Sequence, residues 1–183
     1  MAMKPEIPTP LKSHSPQLLV LDVDGVLTDN SLMINSDGSE VKQFHVPDGA
    51  GIRWLLEEGI AVAWISGRES AATEHRAREL GVEQVHTGIR DKSTCLQQII
   101  DQLGIEADNT VYVGDDLIDL APMALVGVSV AVANAQPTVL EQADVVTSRP
   151  GGAGAVREVC EWILAARGLW QERFHGAVTG ERP

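Results

Sequence analysis

The segment Leu18-Leu-Val-Leu-Asp-Val-Asp-Gly-Val-Leu-Thr28 constrains this chain more than any other. A run of apolar residues ends in Asp22 and Asp24, one residue apart, with Gly25 directly behind them. Such a run reads as a strand buried on both faces, and therefore as the centre of a parallel sheet. Open α/β sheets take their ligands beyond the carboxyl ends of these strands. Two carboxylates projecting into that crevice repel each other unless a cation or a shared proton intervenes. Oxygen-only ligands suit a hard ion such as Mg2+. A carboxylate can also attack phosphorus and become an aspartyl-phosphate. The plainer alternative is an acid pair that merely ends a strand and caps the next element.

Three more polar clusters follow, each after a strand-like run. Ala61–Ile65 leads into Ser66-Gly67-Arg68, Gln84–His86 into Asp91-Lys92, and Thr110–Val113 into Gly114-Asp115-Asp116-Leu-Ile-Asp119. The strand ends thus carry an acid pair, a hydroxyl, a lysine and a second acid pair, in that order. This combination suits phosphoryl transfer. The acids hold the metal and attack, while the hydroxyl and the ammonium neutralise the non-bridging oxygens. A phosphorelay receiver uses similar groups on an α/β frame, but its phosphoacceptor follows the acid pair on a later strand, whereas Asp-x-Asp-Gly comes first here. A non-catalytic binding module fits less well, because no motif position is missing.

The ordered set Asp-x-Asp-Gly-x-Leu-Thr, Ser-Gly-Arg, Lys and Gly-Asp-Asp-x-x-Asp resembles the haloacid dehalogenase (HAD) superfamily of phosphatases. Each piece alone is weak; their order, each after its own strand, is specific. The resemblance implies Asp22 as nucleophile and Asp24 as general acid and base. It implies Ser66 and Lys92 on the transferring phosphoryl group. It implies Mg2+ held by Asp22, Asp115 and the Asp24 carbonyl, with Asp116 and Asp119 in supporting roles.

At 183 residues and 44% hydrophobic content, one domain with a full α/β core is expected. No apolar run approaches the roughly 18 residues of a membrane span. Residues 1–16 lack the apolar core of a signal peptide, so they read as a flexible extension of a cytoplasmic protein. The net charge of −12 argues against nucleic acid and anionic membranes as partners. An acidic chain that acts on an anion must gather cations locally, which draws attention to Arg53, Arg68 and Arg76. Cys95 and Cys160 read as buried free thiols.

Strand-like runs alternate with segments of helical period, which predicts a doubly wound, Rossmann-like parallel sheet over residues 17–167. Asp37-Gly38 between strand-like flanks predicts a β-hairpin insertion. Helices are expected at 48–58, with Asp48 near the N-cap, and at 69–80, 92–103, 117–125 and 155–167. Gly151-Gly-Ala-Gly154 reads as a flexible loop, because it lacks the lysine of a P-loop. Trp54, Trp64 and Trp162 are assigned to packing. Residues 168–183 read as a mobile tail, from which Trp170 could anchor on another subunit. Neither gap between the first three motifs can hold a folded cap domain. The site of a lone subunit is therefore expected to stand open, with a neighbour supplying the lid.

From about Gln17 to Arg167 the chain also resembles the capless 3-deoxy-D-manno-octulosonate (KDO) 8-phosphate phosphatases of lipopolysaccharide synthesis. The resembling stretches include Asp22–Asp29, Phe44-His-Val-Pro-Asp-Gly49, Ser66-Gly-Arg68 with Arg76, Asp91-Lys92, Gly114–Asp119, Val130–Asn134 and Gly151–Glu158. This resemblance implies a homotetramer joined through the hairpins and a small anionic sugar-acid phosphate as substrate. Substrate contacts would fall on Asp24, His45, Val46, Pro47, Asp48, Gly49, Arg53, Arg68, Arg76 and Lys92, some across subunits. The family loop often reads Asn-Val-Arg-Asp-Gly, and Pro47 here removes a cation and an amide donor. Phosphatases for nine-carbon acids, such as an acylneuraminate 9-phosphate or its deaminated analogue, share the motifs and remain the alternative. A phosphomutase fits less well without a cap to retain its intermediate.

Overall fold

The computed structural model describes residues 5–179. A short helix α1 (Thr9–Lys12) precedes strand β1 (Leu18–Leu21), whose residues are all fully buried. The hairpin follows as β2 (Met33–Ile34) and β3 (Glu40–Val41), paired antiparallel about Gly38 at φ +84°. Next come α2 (Val46–Glu57), β4 (Ala61–Ile65), α3 (Ala71–Leu80), β5 (Gln84–His86) and α4 (Lys92–Leu103). The chain continues through β6 (Thr110–Gly114), α5 (Leu120–Met123), β7 (Val128–Ala131), α6 (Pro137–Gln142), β8 (Val145–Val146), α7 (Ala155–Ala166) and α8 (Trp170–Thr179).

The main sheet runs β5-β4-β1-β6-β7-β8 with every pair parallel, so β1 is central, as its apolar run requires. The chain first builds outward from β1 through β4 to β5, then returns to β6 on the other side of β1. The strand order therefore reverses between β1 and β6, and a crevice opens beyond their carboxyl ends. Asp22 and Asp115 each stand one residue past these two strands.

Helical period places the apolar faces. Helix α4 buries Cys95, Leu96, Ile99 and Ile100 together with Lys92. Helix α7 buries Val156, Val159, Cys160 and Ile163 and packs on α2. Gly51 permits that approach, since a Cβ there would lie 3.0 Å from the Cβ of Cys160. Both cysteines are free and buried. No helix among the described residues is long and apolar enough to cross a membrane.

Several expectations need correction. Helix α2 starts at Val46, with Pro47 in its first turn, where a missing N–H costs nothing. Asp48 consequently lies inside the helix rather than at its cap. Helix α3 starts two residues later than expected because Ser70 caps it, accepting from the Thr73 amide at 3.3 Å. The segment expected as one helix at 117–125 splits into a 3-10 turn, Leu117–Asp119, and α5, because the Asp119 carboxylate bonds back to the preceding amides. The Gly151–Gly154 loop is tightly packed rather than flexible. A Cβ on Gly151 would lie 1.7 Å from the Gly25 carbonyl oxygen, and one on Gly152 would lie 2.5 Å from the Asp29 amide.

The flanking segments also join the body. Leu11 in α1 is fully buried. In the segment read as a tail, Trp170–Thr179 form helix α8, and Trp170 is only 9% exposed. Its ring meets Trp54 edge-on at 6.4 Å between centroids, and Arg173 pairs with Glu57 at 2.6 Å and Glu58 at 2.5 Å. One large aromatic side chain outweighs the low apolar content around it. Residues 1–4 and 180–183, the ends of the expected extension and tail, lie outside the described residues.

Candidate active site

Asp22 continues the sheet, its amide donating to the Val113 carbonyl at 3.0 Å, and the residue is 4% exposed. Lys92 opens helix α4 behind its cap Asp91, and its ammonium lies 2.7 Å from Asp22 Oδ1 and 2.7 Å from Asp119 Oδ1. Burial pulls the Lys92 ammonium down, but the two carboxylates outweigh it and hold it above its ordinary value. Lys92 is thus a fixed cation beside the candidate nucleophile.

Asp115 completes the acid cluster. Oxygens of Asp22, Asp115 and Asp119 lie within 4.8 Å of one another, all buried. Burial, and then the charges of Asp22 and Asp119, push the Asp115 carboxyl up to about 8. Burial, and then Asp119, push Asp22 up to about 6 despite Lys92. Asp115 Oδ1 is buried with no hydrogen-bond partner. A buried oxygen with no other partner, set among repelling carboxylates, suits a hard cation.

Asp119 belongs to this cluster by distance, but its oxygens are already committed. Oδ1 accepts from Lys92 and from the Tyr112 hydroxyl at 2.8 Å, while Oδ2 accepts from the Asp115 and Asp116 amides at 3.1 and 3.3 Å. It braces the cluster. Asp116 caps the following turn, accepting from the Leu117 amide at 2.7 Å.

The first loop is shaped around Asp115. Gly25 has φ +92°, and a Cβ there would lie 2.0 Å from Asp115 Oδ2. Only glycine combines that backbone with that approach. Thr28 closes the loop, its hydroxyl accepting from the Gly25 amide at 3.3 Å. Asn30 donates to Asp115 Oδ2 at 3.2 Å. Asp24, less buried than Asp22, pairs with Lys42 from the hairpin. The Ser66 hydroxyl donates to the Arg68 carbonyl at 3.1 Å and accepts from the Arg68 amide at 3.2 Å.

A model of haloacid dehalogenase-like hydrolases matches residues 85–158. KDO 8-phosphate phosphatase KdsC of Escherichia coli strain K12 is 45% identical over 161 residues, which cover 88% of this chain and 86% of that protein. The chain belongs to the KDO 8-phosphate phosphatase family. A crystal structure of the Moraxella catarrhalis phosphatase with magnesium, phosphate and KDO superposes with a TM-score of 0.88 at 40% identity, covering 91% of this chain and 95% of that one. The cobalt-bound Haemophilus influenzae phosphatase gives 0.84 at 40% identity, over 88% and 94%.

The other residues that the resemblance implies as substrate contacts fall into separate groups. His45, Asp48, Gly49 and Arg76 line one small cleft with Phe44 and Trp64. Arg76 lies across Gly49, where a Cβ would meet its Nη2 at 2.4 Å, and pairs with Glu79 at 2.8 Å. Val46 and Pro47 are exposed on the first turn of α2, and Arg53 is exposed further along it. Arg68 reaches the hairpin, pairing with Glu40 at 2.7 Å. Asp48 is turned away from solvent: it accepts from the Arg157 amide at 2.7 Å, the Gly154 amide at 3.3 Å and His45 Nδ1 at 3.2 Å. It clamps the start of α7 to α2.

Sequence reasoning missed Asn30, Lys42 and Tyr112. Asn30 carried no signal apart from lying next to the first motif. Tyr112 sits inside an apolar strand, where its hydroxyl is easily overlooked. Glu40 and Lys42, two residues apart in an extended segment, point to one side of it, and that alternation was the available clue.

Proposed function

We propose that this chain hydrolyses KDO 8-phosphate to the free sugar acid and inorganic phosphate, with Mg2+, in lipopolysaccharide synthesis. One observation carries the reading above all: buried Lys92 bridges Asp22 and Asp119 directly beside the unpartnered Oδ1 of Asp115. Asp22 attacks phosphorus and becomes an aspartyl-phosphate. Asp24 gives a proton to the departing sugar oxygen, then takes one from the water that cleaves the acyl phosphate. Lys92 holds Asp22 in place and compensates charge on the phosphoryl oxygens, joined by the Ser66 hydroxyl once it leaves the Arg68 backbone. Mg2+, held by Asp22, Asp115 and the Asp24 carbonyl, supplies further charge compensation when bound.

The sugar acid carries a carboxylate at a distance from its phosphate, and Arg68, Arg76 and Arg53 are the candidates to meet it, with the His45–Gly49 turn shaping the pocket. The protein works in the cytoplasm as a homotetramer. Exposed Leu32, Met33, Ile34 and Val41 on the hairpin, each about half exposed, support assembly through that element.

Phosphate release from KDO 8-phosphate, a nine-carbon sugar-acid 9-phosphate and glucose 6-phosphate, with Mg2+ and with EDTA, tests the reading. The eight-carbon acid should lead in kcat/KM, and EDTA should abolish turnover. Equal turnover of glucose 6-phosphate would sink the substrate assignment, and preference for the nine-carbon acid would redirect it.

A further inference from the structure

The hairpin reaches back into its own subunit's site. The Lys42 ammonium pairs with Asp24 Oδ1 and lies 4.0 Å from Glu40 Oε1, with its side chain only 2% exposed. Glu40 is fixed from behind: its Oε1 accepts from the Ser70 hydroxyl at 2.6 Å and its Oε2 from Arg68 at 2.7 Å. Burial works against the charge of Glu40, but Ser70, Lys42 and Arg68 outweigh it and hold its carboxyl below the usual range. Ser70 is also the cap of α3, so this anchor is part of the frame. Charges therefore alternate from the first motif to the second: Asp24, Lys42, Glu40, Arg68. A surface ion pair would not need a lysine this deeply buried, nor a carboxylate held from two sides.

We propose that Lys42, steadied by Glu40, is a positioning residue for Asp24, fixing one carboxylate oxygen so that the other faces the leaving oxygen. The proposal rests on the reading of Asp24 as proton donor. Its proton passes from Oδ2 to the departing alkoxide, and the anion left behind is met by the Lys42 ammonium. The hairpin then contributes to turnover within its own subunit, apart from any part in assembly.

A positioned acid matters in proportion to the basicity of the leaving group. A sugar alkoxide needs the proton; a nitrophenolate scarcely does. Because kcat/KM reports steps up to transfer of the phosphoryl group to Asp22, the later attack of water does not enter it. The readout is the ratio of kcat/KM for KDO 8-phosphate over p-nitrophenyl phosphate. General acid catalysis contributes about 10²–10⁴-fold, and losing its alignment forfeits part of that. Lys42→Met should lower the ratio about 10- to 100-fold, Glu40→Gln should lower it in the same direction by less, and Lys42→Arg should largely restore it. Thermal melts establish folding, and Glu40→Gln carries the test if Lys42→Met does not fold. A purely structural role predicts both substrates falling together, and an unchanged ratio in Lys42→Met or Glu40→Gln overturns the proposal. Asp24→Asn run in parallel separates the two ideas. If it lowers the ratio and Lys42→Met does not, only the positioning role fails. If it leaves the ratio unchanged, the proton-donor reading fails and the proposal falls with it.

Discussion

The acid pair should make the metal-free protein lose stability as pH rises, and Mg2+ should restore it. Asp22 is held up to about 6 and Asp115 up to about 8, against an ordinary value of 3.8. Raised carboxyls bind more protons in the folded state than in the unfolded one between about pH 4 and 8. Stability conferred by those protons is therefore present at low pH, falls across that window, and levels off above it. For Asp115, a rise of about four pH units at ~1.4 kcal/mol each gives a total penalty on the order of 6 kcal/mol. About 3 kcal/mol of it falls between roughly pH 5.5 and 8.0. Urea unfolding of EDTA-treated wild type and Asp115→Asn at those two values compares the coupled cluster with and without this acid, because an amide does not titrate. The wild type should lose about 3 kcal/mol more than the variant on going to the higher pH. Saturating Mg2+ should erase the difference by replacing the proton with a cation. Parallel losses in wild type and variant without metal would refute the account of Asp115 as an uncompensated buried acid.

Asp22→Asn should cut turnover by at least about a thousandfold in a phosphate-release assay, since an amide does not attack phosphorus. In EDTA at pH 8 the same variant should melt no lower than wild type, because it removes one of the repelling charges. Tyr112→Phe deletes one donor to buried Asp119 and should cost about 1–3 kcal/mol by urea denaturation. Ile34→Lys places a charge on the exposed hairpin and should shift light scattering towards smaller species at assay concentration; an unchanged mass would place the interface elsewhere.

The frame was legible because the signals for it are local. Apolar runs marked β1, β4 and β6, and glycines after periodic segments marked the ends of α3 and α4, where Gly81 and Gly104 both take positive φ. The acid pairs and Lys92 were legible because strand ends in such a sheet converge. Contacts between segments far apart in sequence were not legible. Asp48 reads as a helix cap, but its oxygens go to amides at Gly154 and Arg157. The low apolar content of residues 168–179 hides a helix that docks through one tryptophan. The glycine loop looks flexible because glycine tolerates many conformations, while its actual use here is to let two backbones touch. For Lys42 the local alternation with Glu40 gave only a shared side of the strand, while its partner Asp24 is set by how the hairpin folds back.

That glycine contact bears on how the protein is made. Gly151 and Gly152 press on Gly25, Thr28 and Asp29, the loop that carries the first acids. On a ribosome the nucleophile emerges early, while Lys92, Asp115 and finally the glycine loop follow much later. A nascent chain thus holds Asp22 long before it holds a site, and the first loop cannot settle until the last third of the domain arrives. Premature release should leave β1 without β6, an unpaired apolar strand at the centre of an unfinished sheet, and such fragments are a natural clientele for chaperones.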